Sequence, residues 1–195
     1  MLIYTFHIAF FALFLLRLAG RGPGRTPPQA APPAAEDAIA ADPQAVRFIA
    51  LHVGAFFVFY CGLGQAVFGS RGPRLLFTPH PLLGAALIVA GAAILAWALL
   101  VFRSWRLLAR IEAGHQLCTT GPFRLVRHPI YLSLDLLALG TFLWMPAPLV
   151  LLGAILIAVS GDLRARGEER LLARVFGQAY RDYQGRVPRT LPGVY

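Results

Sequence analysis

The sequence predicts an all-α integral membrane protein, a helical bundle of about five transmembrane helices with a cytoplasmic C-terminal helix. Three observations lead to this fold class. Hydrophobic residues make up 57% of the 195 residues and charged residues only 14%, whereas soluble domains carry about 25% charged residues. The apolar residues gather in long runs separated by polar segments. Two cysteines are too few for a disulfide scaffold, and the apolar content excludes a disordered chain.

The N-terminal region, residues 1–102, is expected to hold three spans. The first run, Leu2–Leu16, is apolar except for His7 and lacks the basic start of a signal peptide. We therefore interpret this run as the first membrane helix. Residues 20–45 follow, rich in proline, glycine and alanine, and their composition is typical of a flexible loop.

The second and third runs have the length that a membrane helix needs, about 20 mostly apolar residues. Val46–Phe68 is the second run and carries His52 and Gln65 within it. Pro81–Phe102 is the third run and contains no charged residue. These two segments are the clearest predicted spans of the chain.

The C-terminal region, residues 103–195, begins and ends with basic polar segments. Between them lie two short apolar runs, Ile130–Met145 and Pro146–Gly161, joined at a Met-Pro-Ala-Pro turn signal. Each run would form about 24 Å of helix. We expect a tight helical hairpin that barely crosses the bilayer.

All 18 basic residues are arginines, and their distribution predicts the orientation. With five spans and a cytoplasmic C-terminus, only Arg71 and Arg74 face outside. The positive-inside rule favours this topology. Because the arginines border apolar runs, as they do beside lipid headgroups, the bilayer is the expected partner and nucleic acid is not.

The fourth predicted helix begins near His128 and carries candidate site residues. Pro129 suits the first helical turn, where its missing N–H costs nothing. His128, Tyr131 and Asp135 share one helix face. Each also has a plain structural interpretation: a solvated histidine, an interfacial aromatic residue, and a hydrogen bond between helices.

A second candidate pair follows the hairpin. Arg164 and Glu168 are four residues apart, so on a helix they can point the same way. Taken alone, they could be a surface ion pair of little energetic value. Because the hairpin returns the chain to the side of His128, however, we expect both stretches to meet at one membrane face. The apolar positions after Glu168 predict a basic helix that lies on the membrane surface or caps the bundle.

These residues form two motifs that resemble a known family. The first is Gly-Pro-Phe-Arg-Leu-Val-Arg-His-Pro-Ile-Tyr at 121–131. The second comprises Glu168-Glu169, Leu172, Phe176-Gly177 with Tyr180, Tyr183, and Arg-Val-Pro at 186–188. Together they resemble the isoprenylcysteine carboxyl methyltransferase family and its phospholipid-methyltransferase relatives, over residues 115–192. Two positions depart from the family pattern: Ser133 stands where glycine is common, and Phe123 where tyrosine is usual.

The resemblance implies S-adenosylmethionine as the methyl donor, and accordingly no glycine-rich dinucleotide motif occurs. It implies that Glu168 binds the methionyl end of the donor and that Arg164 faces the acceptor, with Tyr131 as the third catalytic residue. The cofactor-binding residues that it implies, besides Glu168, are His115, Gln116, Leu117, Cys118, Phe123, His128, Pro129, Ile130 and Tyr131.

The expected function is thus membrane-bound methylation of a lipophilic or prenylated acceptor, most like isoprenylcysteine carboxyl O-methylation, without a metal. A carboxylate acceptor needs no general base; for a phospholipid amine or a small thiol, Asp135 or a tyrosine would be the candidate base. An NADPH-dependent membrane reductase and a non-catalytic membrane scaffold are two further functions that the sequence allows. We expect the protein to lie in a bacterial inner membrane with its site facing the cytoplasm.

Overall fold

The computed structural model describes residues 1–19, 44–70, 72, 74–102 and 117–191. Within these ranges all regular structure is helical, which confirms the all-α prediction. The predicted loop at 20–45 lies outside the described residues except for its last two positions. The α-helices are α1 (Leu2–Ala19), α2 (Ala45–Phe68), α3 (Pro81–Val101), α4 (Pro129–Trp144) and α5 (Pro148–Gln184).

Three of these helices, α2, α3 and α5, are long and apolar enough to cross a membrane, judged by length and composition. The helices α1 and α4 are apolar but shorter. The hairpin between α4 and α5 is confirmed, with its turn at Met145-Pro146-Ala147. The chain is therefore an integral membrane protein whose spans differ in length.

The fifth helix is longer than the second arm of the predicted hairpin. The apolar run ends at Gly161, yet α5 continues through the polar stretch to Gln184. Residues such as Arg, Glu, Leu and Ala have high helix propensity and no proline interrupts them, so nothing stops the helix at the end of its apolar half. The predicted C-terminal helix is thus the polar half of α5, and the chain bends at Gly177, whose φ is 56°.

Glycines allow the helices to pack closely in two pairs. The helix α3 packs mainly against α4, and α2 packs mainly against α5. A Cβ on Gly84 would lie 2.5 Å from the carbonyl oxygen of Gly140, and a Cβ on Gly153 would lie 2.4 Å from Cα of Phe59. Helices in membranes associate through such small residues, because lipid offers no hydrophobic drive between them.

A buried histidine ties α1 to the other helices. His7 Nδ1 lies 2.7 Å from the hydroxyl of Tyr60 on α2, and its Nε2 lies 2.8 Å from Oγ1 of Thr141 on α4. Both ring nitrogens are therefore hydrogen-bonded in an otherwise apolar environment. Such bonds between helices stabilise membrane bundles by roughly 0.6 kcal/mol each.

The two motif regions meet at one end of the bundle, as the sequence predicts. The backbone N–H of Arg127 donates to the carbonyl of Pro188 over 2.8 Å, and that of His128 donates to Arg189 over 2.9 Å. The segment after α5 is thereby fixed against the start of α4. The polar half of α5 lies beside both, and together these three elements position the candidate site.

Candidate active site

Three predicted catalytic residues form one group, which we call the Tyr131 cluster: Tyr131, Arg164 and Glu168. Tyr131, in the first turn of α4, donates its hydroxyl proton to Glu168 Oε1 over 2.5 Å. The guanidinium carbon of Arg164 lies 5.5 Å from the centroid of the Tyr131 ring. Because Arg164 and Glu168 are one turn apart on α5, both reach the same tyrosine. The structure confirms that these three side chains meet.

The side chain of His128 lies between two adjacent glutamates of α5. Its Nδ1 is 3.7 Å from Glu168 Oε2, and its Nε2 is 3.3 Å from Glu169 Oε1. Its ring centroid lies 5.6 Å from that of Tyr131, as expected for neighbours on one helix face. His128 immediately precedes Pro129, at the start of α4 as predicted.

A second group, which we call the Glu169 cluster, comprises Arg127, His128, Glu169 and Arg189. Glu169 Oε1 accepts from Arg127 Nε over 2.9 Å and lies 2.8 Å from Arg127 Nη2. Glu169 Oε2 accepts from Arg189 Nε over 3.1 Å and from Arg189 Nη2 over 2.9 Å. The Glu169 side chain is only 6% exposed. Two arginines thus hold both oxygens of one buried carboxylate.

The charge on Glu169 follows from these contacts. Burial raises the pKa of the Glu169 carboxyl, but hydrogen bonds from His128, Arg189 and Arg127 outweigh burial and lower the pKa to about 2. Glu169 is therefore ionised at neutral pH. With every oxygen occupied, it joins the start of α4 to α5 and to the segment after α5.

The sequence alone assigns no role to Arg127, Glu169 or Arg189. Arg127 and Glu169 belong to the two motifs, and Arg189 lies just beyond the second. One signal was available: adjacent residues of an α-helix point about 100° apart. Glu168 and Glu169 therefore cannot both face Tyr131, so one of them needs another partner.

Four of the residues that the resemblance assigns to cofactor binding precede the 3₁₀ turn at Gly121–Arg124. Two of them, His115 and Gln116, lie outside the described residues. Leu117 and Cys118 are half-buried and precede a 3₁₀ turn at Gly121–Arg124. The 3₁₀ turn thus connects Leu117 and Cys118 to the start of α4.

The remaining predicted cofactor residues lie in the 3₁₀ turn and in the first turn of α4. Phe123 is buried; its ring packs edge-on against Phe102 with centroids 5.3 Å apart, and its carbonyl accepts from the Tyr183 hydroxyl over 2.6 Å. Pro129 is buried and Ile130 is half-buried. Phe123, Pro129 and Ile130 therefore precede Tyr131 by at most eight positions in the sequence.

The departure at Ser133 is compensated by a neighbouring helix. Ser133 is fully buried, and its hydroxyl donates to the carbonyl of Ile130 over 2.6 Å. A Cβ on Gly91 of α3 would lie 2.8 Å from the Ser133 carbonyl oxygen. The small residue that close packing requires is thus supplied by α3. Asp135, the candidate base for other acceptors, is half-buried one turn beyond Tyr131.

The described residues offer polar groups that fit a zwitterionic, positively charged cofactor such as S-adenosylmethionine. The Glu168 side chain is 27% exposed, so its carboxylate is accessible to a cation. The Tyr180 hydroxyl is buried and has no hydrogen-bond partner among the described residues. Burial and the charge of Glu169 raise the pKa of Tyr180, which keeps this hydroxyl a donor. In the described part of the chain, no cluster of three or more His, Cys, Asp or Glu side chains could hold a metal.

Comparison with known proteins identifies similar chains and a similar fold. A protein of Arabidopsis thaliana named Protein-S-isoprenylcysteine O-methyltransferase B is 30% identical over 141 residues, which are 70% of this chain and 66% of the plant protein. The solved structure of a eukaryotic intramembrane Ras methyltransferase, isoprenylcysteine carboxyl methyltransferase, superposes with a TM-score of 0.52 at 21% identity. That match covers 77% of this chain and 53% of the other, and it shows a shared fold.

The chain therefore spans about two thirds of the length of the plant relative and about half of the solved structure. The model of the phospholipid methyltransferase family matches residues 73–179, which is more than half of this chain. The matched range includes α3, α4, most of α5 and the whole Tyr131 cluster. The chain belongs to the phospholipid methyltransferase family.

Proposed function

We propose that the protein is an integral membrane methyltransferase that uses S-adenosylmethionine to methylate the carboxylate of a lipophilic acceptor, most like a protein S-isoprenylcysteine. One observation carries the proposal: Tyr131 contacts a carboxylate, Glu168, and a guanidinium, Arg164, that lie one helical turn apart. A site for methyl transfer to a carboxylate needs both charges, one for the cationic donor and one for the anionic acceptor.

Glu168 serves the methyl donor in this proposal. S-adenosylmethionine, when bound, supplies a methyl group activated by a positively charged sulfur. One Glu168 oxygen accepts from Tyr131, and the other lies near His128, so the carboxylate is held in place before it binds the donor's ammonium. Tyr180 offers a further hydrogen bond. The pocket residues proposed around them are His115, Gln116, Leu117, Cys118, Phe123, Pro129 and Ile130.

Arg164 serves the acceptor. A guanidinium can hold a carboxylate by two parallel hydrogen bonds, which fix its position as well as its charge. Methyl transfer depends mainly on such proximity and alignment. Because a carboxylate is already ionised at neutral pH, no residue has to remove a proton.

A phospholipid amine or a small thiol is the second candidate acceptor. The name of the matching family, phospholipid methyltransferase, favours the phospholipid. Such an acceptor must lose a proton, for which Asp135 or a tyrosine would act as the base. A protonated amine beside Arg164 would be repelled by the like charge. The position of Arg164 against Tyr131 therefore supports a carboxylate over an amine. The accessible pair of Arg164 and Glu168 also favours a methyltransferase over an NADPH-dependent reductase and over a non-catalytic scaffold.

The site would face the cytoplasm of a bacterial cell, with the protein in the inner membrane. Sixteen of the 18 arginines support this orientation through the positive-inside rule. In this arrangement the polar donor enters from the cytoplasm and the lipophilic acceptor enters from the bilayer.

The test is incubation of the purified protein with isotopically labelled methyl donor and a panel of prenylcysteines, phospholipids and thiols, followed by mass spectrometry. The expected product is a base-labile methyl ester of a prenylcysteine. Methyl transfer only to an amine or thiol would favour the second candidate. Binding of NADPH without binding of S-adenosylhomocysteine would overturn the proposal.

An Arg164→Ala variant tests the division of roles. We expect the KM for the acceptor to rise about tenfold or more, with little change in the affinity for S-adenosylhomocysteine. Arg164→Lys is the matched control, because it keeps the charge but loses the two-pronged geometry. An equal loss of acceptor use and cofactor binding in Arg164→Ala would contradict the assignment.

A further inference from the structure

A buried histidine of α2 adjoins the Tyr131 cluster. His52 is 5% exposed, and its Nδ1 lies 2.7 Å from the hydroxyl oxygen of Ser160 on α5. The Ser160 hydroxyl donates to the carbonyl of Ile157 over 3.1 Å. A hydroxyl has one proton to give; we assign it to the bond with Ile157, so that Ser160 accepts from His52 Nδ1. With this assignment Nδ1 carries the proton of the neutral ring, and Nε2 presents a lone pair.

This lone pair is buried but unused. His52 Nε2 has no hydrogen-bond partner in the part of the chain that the structure describes, whereas folded proteins pair most buried polar atoms. The histidine of α1 provides the contrast: both nitrogens of His7 lie within 2.8 Å of hydroxyl partners. Burial of a histidine in this bundle does not by itself leave a nitrogen unpaired.

The surroundings of His52 connect it to the acceptor side of the site. Its ring packs edge-on against Tyr131, with centroids 6.2 Å apart, and Arg164 lies over the same tyrosine ring. Gly161 leaves room between them. A Cβ on Gly161 would lie 3.8 Å from His52 Cε1 and 3.9 Å from Tyr131 Cδ1. His52 and Arg164 thus approach one aromatic ring from two helices.

The two side chains offer opposite hydrogen-bonding capacity. The guanidinium of Arg164 only donates, and Nε2 of His52 in this tautomer only accepts. An acceptor that satisfies both must combine a carboxylate with an N–H group close by. The C-terminal residue of a peptide, or an N-acyl amino acid, has this combination, because its carboxylate and its amide N–H are attached to the same α-carbon.

We propose that His52 is a positioning residue that accepts a hydrogen bond from the amide N–H beside the carboxylate to be methylated. This inference rests on the proposed function and assigns the group on α2 that distinguishes an acceptor with an amide N–H beside its carboxylate from one without it. A simple fatty acid lacks the N–H, and a phospholipid amine lacks the neighbouring carboxylate.

The experiment compares two acceptors, N-acetyl-S-farnesylcysteine and S-farnesylthiopropionic acid, which lacks only the acetamido group. The measured quantity is the ratio of their kcat/KM values. In His52→Asn the side-chain amide can still donate to Ser160 but cannot reach the position of Nε2, so we expect the ratio to fall about tenfold, mainly through KM. In His52→Gln the amide oxygen can occupy the position of Nε2, and we expect most of the ratio to return.

Two further variants keep the test independent of folding. His7→Asn disturbs a buried histidine away from the cluster, and we expect it to keep the wild-type ratio. Ser160→Ala removes the partner that fixes the tautomer, and a smaller fall of the ratio is expected. Binding of S-adenosylhomocysteine by each variant shows that the protein is folded.

The outcomes separate this inference from the proposed function. If the wild type methylates neither compound, both are overturned. If the wild type methylates them but the ratio is unchanged in His52→Asn and in Ser160→Ala, only the role of His52 is overturned. The same conclusion follows if His52→Gln restores nothing.

Discussion

Two adjacent glutamates on α5 belong to regions with opposite properties. Glu169 is 6% exposed, and its two oxygens are held by Arg127, His128 and Arg189. Glu168 is 27% exposed, and its described contacts are Tyr131 and, at longer range, His128. The first region is saturated with partners and joins three segments of the chain. The second keeps a carboxylate accessible, as a binding site requires.

In this site, residue type and position in a motif do not separate structural from chemical roles. The rotation of about 100° between neighbouring residues on a helix turns Glu169 toward the arginines and Glu168 toward Tyr131. His7 and His52 differ in the same way, because within the described part of the chain His7 has two hydroxyl partners and His52 has one. A polar side chain whose hydrogen-bonding atoms all have protein partners serves the structure. A buried polar atom without a partner among the described residues is a candidate for binding a ligand.

The largest effect is expected from removing Glu169. In Glu169→Ala, Arg127 and Arg189 lose their shared carboxylate while remaining largely buried. Removing one partner of a buried pair costs about 3–5 kcal/mol, so we expect a large fall in the thermal unfolding midpoint in detergent. Glu168→Ala is the matched control and should change the midpoint little. Equal midpoints for the two variants would contradict the structural role of Glu169.

The reverse effect is expected for ligand binding. In Glu168→Ala, the affinity for S-adenosylhomocysteine should fall about ten- to a hundredfold, because a charge-assisted hydrogen bond contributes about 1.5–3 kcal/mol. Isothermal titration calorimetry measures this directly. Glu168→Gln keeps the shape and loses the charge, so it should recover only part of the affinity. Wild-type affinity in Glu168→Ala would remove Glu168 from the proposed site.

The ionised state of Glu169 also makes the stability of the fold depend on pH. Since folding lowers the pKa of Glu169 from 4.5 to about 2, its stabilising contribution is complete above pH 4.5 and is lost as the pH falls toward 2. We expect the unfolding midpoint of the wild type to decline more steeply between pH 5 and pH 3 than that of Glu169→Gln, which has no group to titrate there. Parallel declines would show that Glu169 is not held ionised by its partners.

The smallest expected effect comes from Tyr131→Phe. This change removes one hydrogen bond to Glu168 and keeps the ring against Arg164 and His52. A single hydrogen bond contributes about 0.5–1.5 kcal/mol, so the affinity for S-adenosylhomocysteine should fall about three- to tenfold. Tyr60→Phe is the control, because it removes a hydroxyl from His7 in the same bundle and should leave the affinity unchanged. Identical affinities in the two variants would mean that Tyr131 does not orient Glu168.

Local signals were sufficient for most of the fold. Continuous apolar runs predicted the helices, and Pro129 marked the start of α4 within one residue. The extent of α5 was harder to predict, because hydropathy reports where the apolar half ends and not where the helix ends. The polar half continues to Gln184 since its residues favour helix regardless of the surrounding solvent.

For the site, the motifs, their order and the hairpin that brings Tyr131, Arg164 and Glu168 to one face could be read from the amino-acid sequence. The contacts of Arg127 and Arg189 with Glu169 become visible only in the folded chain, as does the approach of His52 to Tyr131 with an Nε2 that has no partner among the described residues. The difference comes from the separation of the interacting residues along the chain. Helix formation and helix faces follow from residues three or four apart, whereas these partners, with Ser160 as the partner of His52 included, lie 20 to 108 positions apart in the chain and meet only through the packing of the helices.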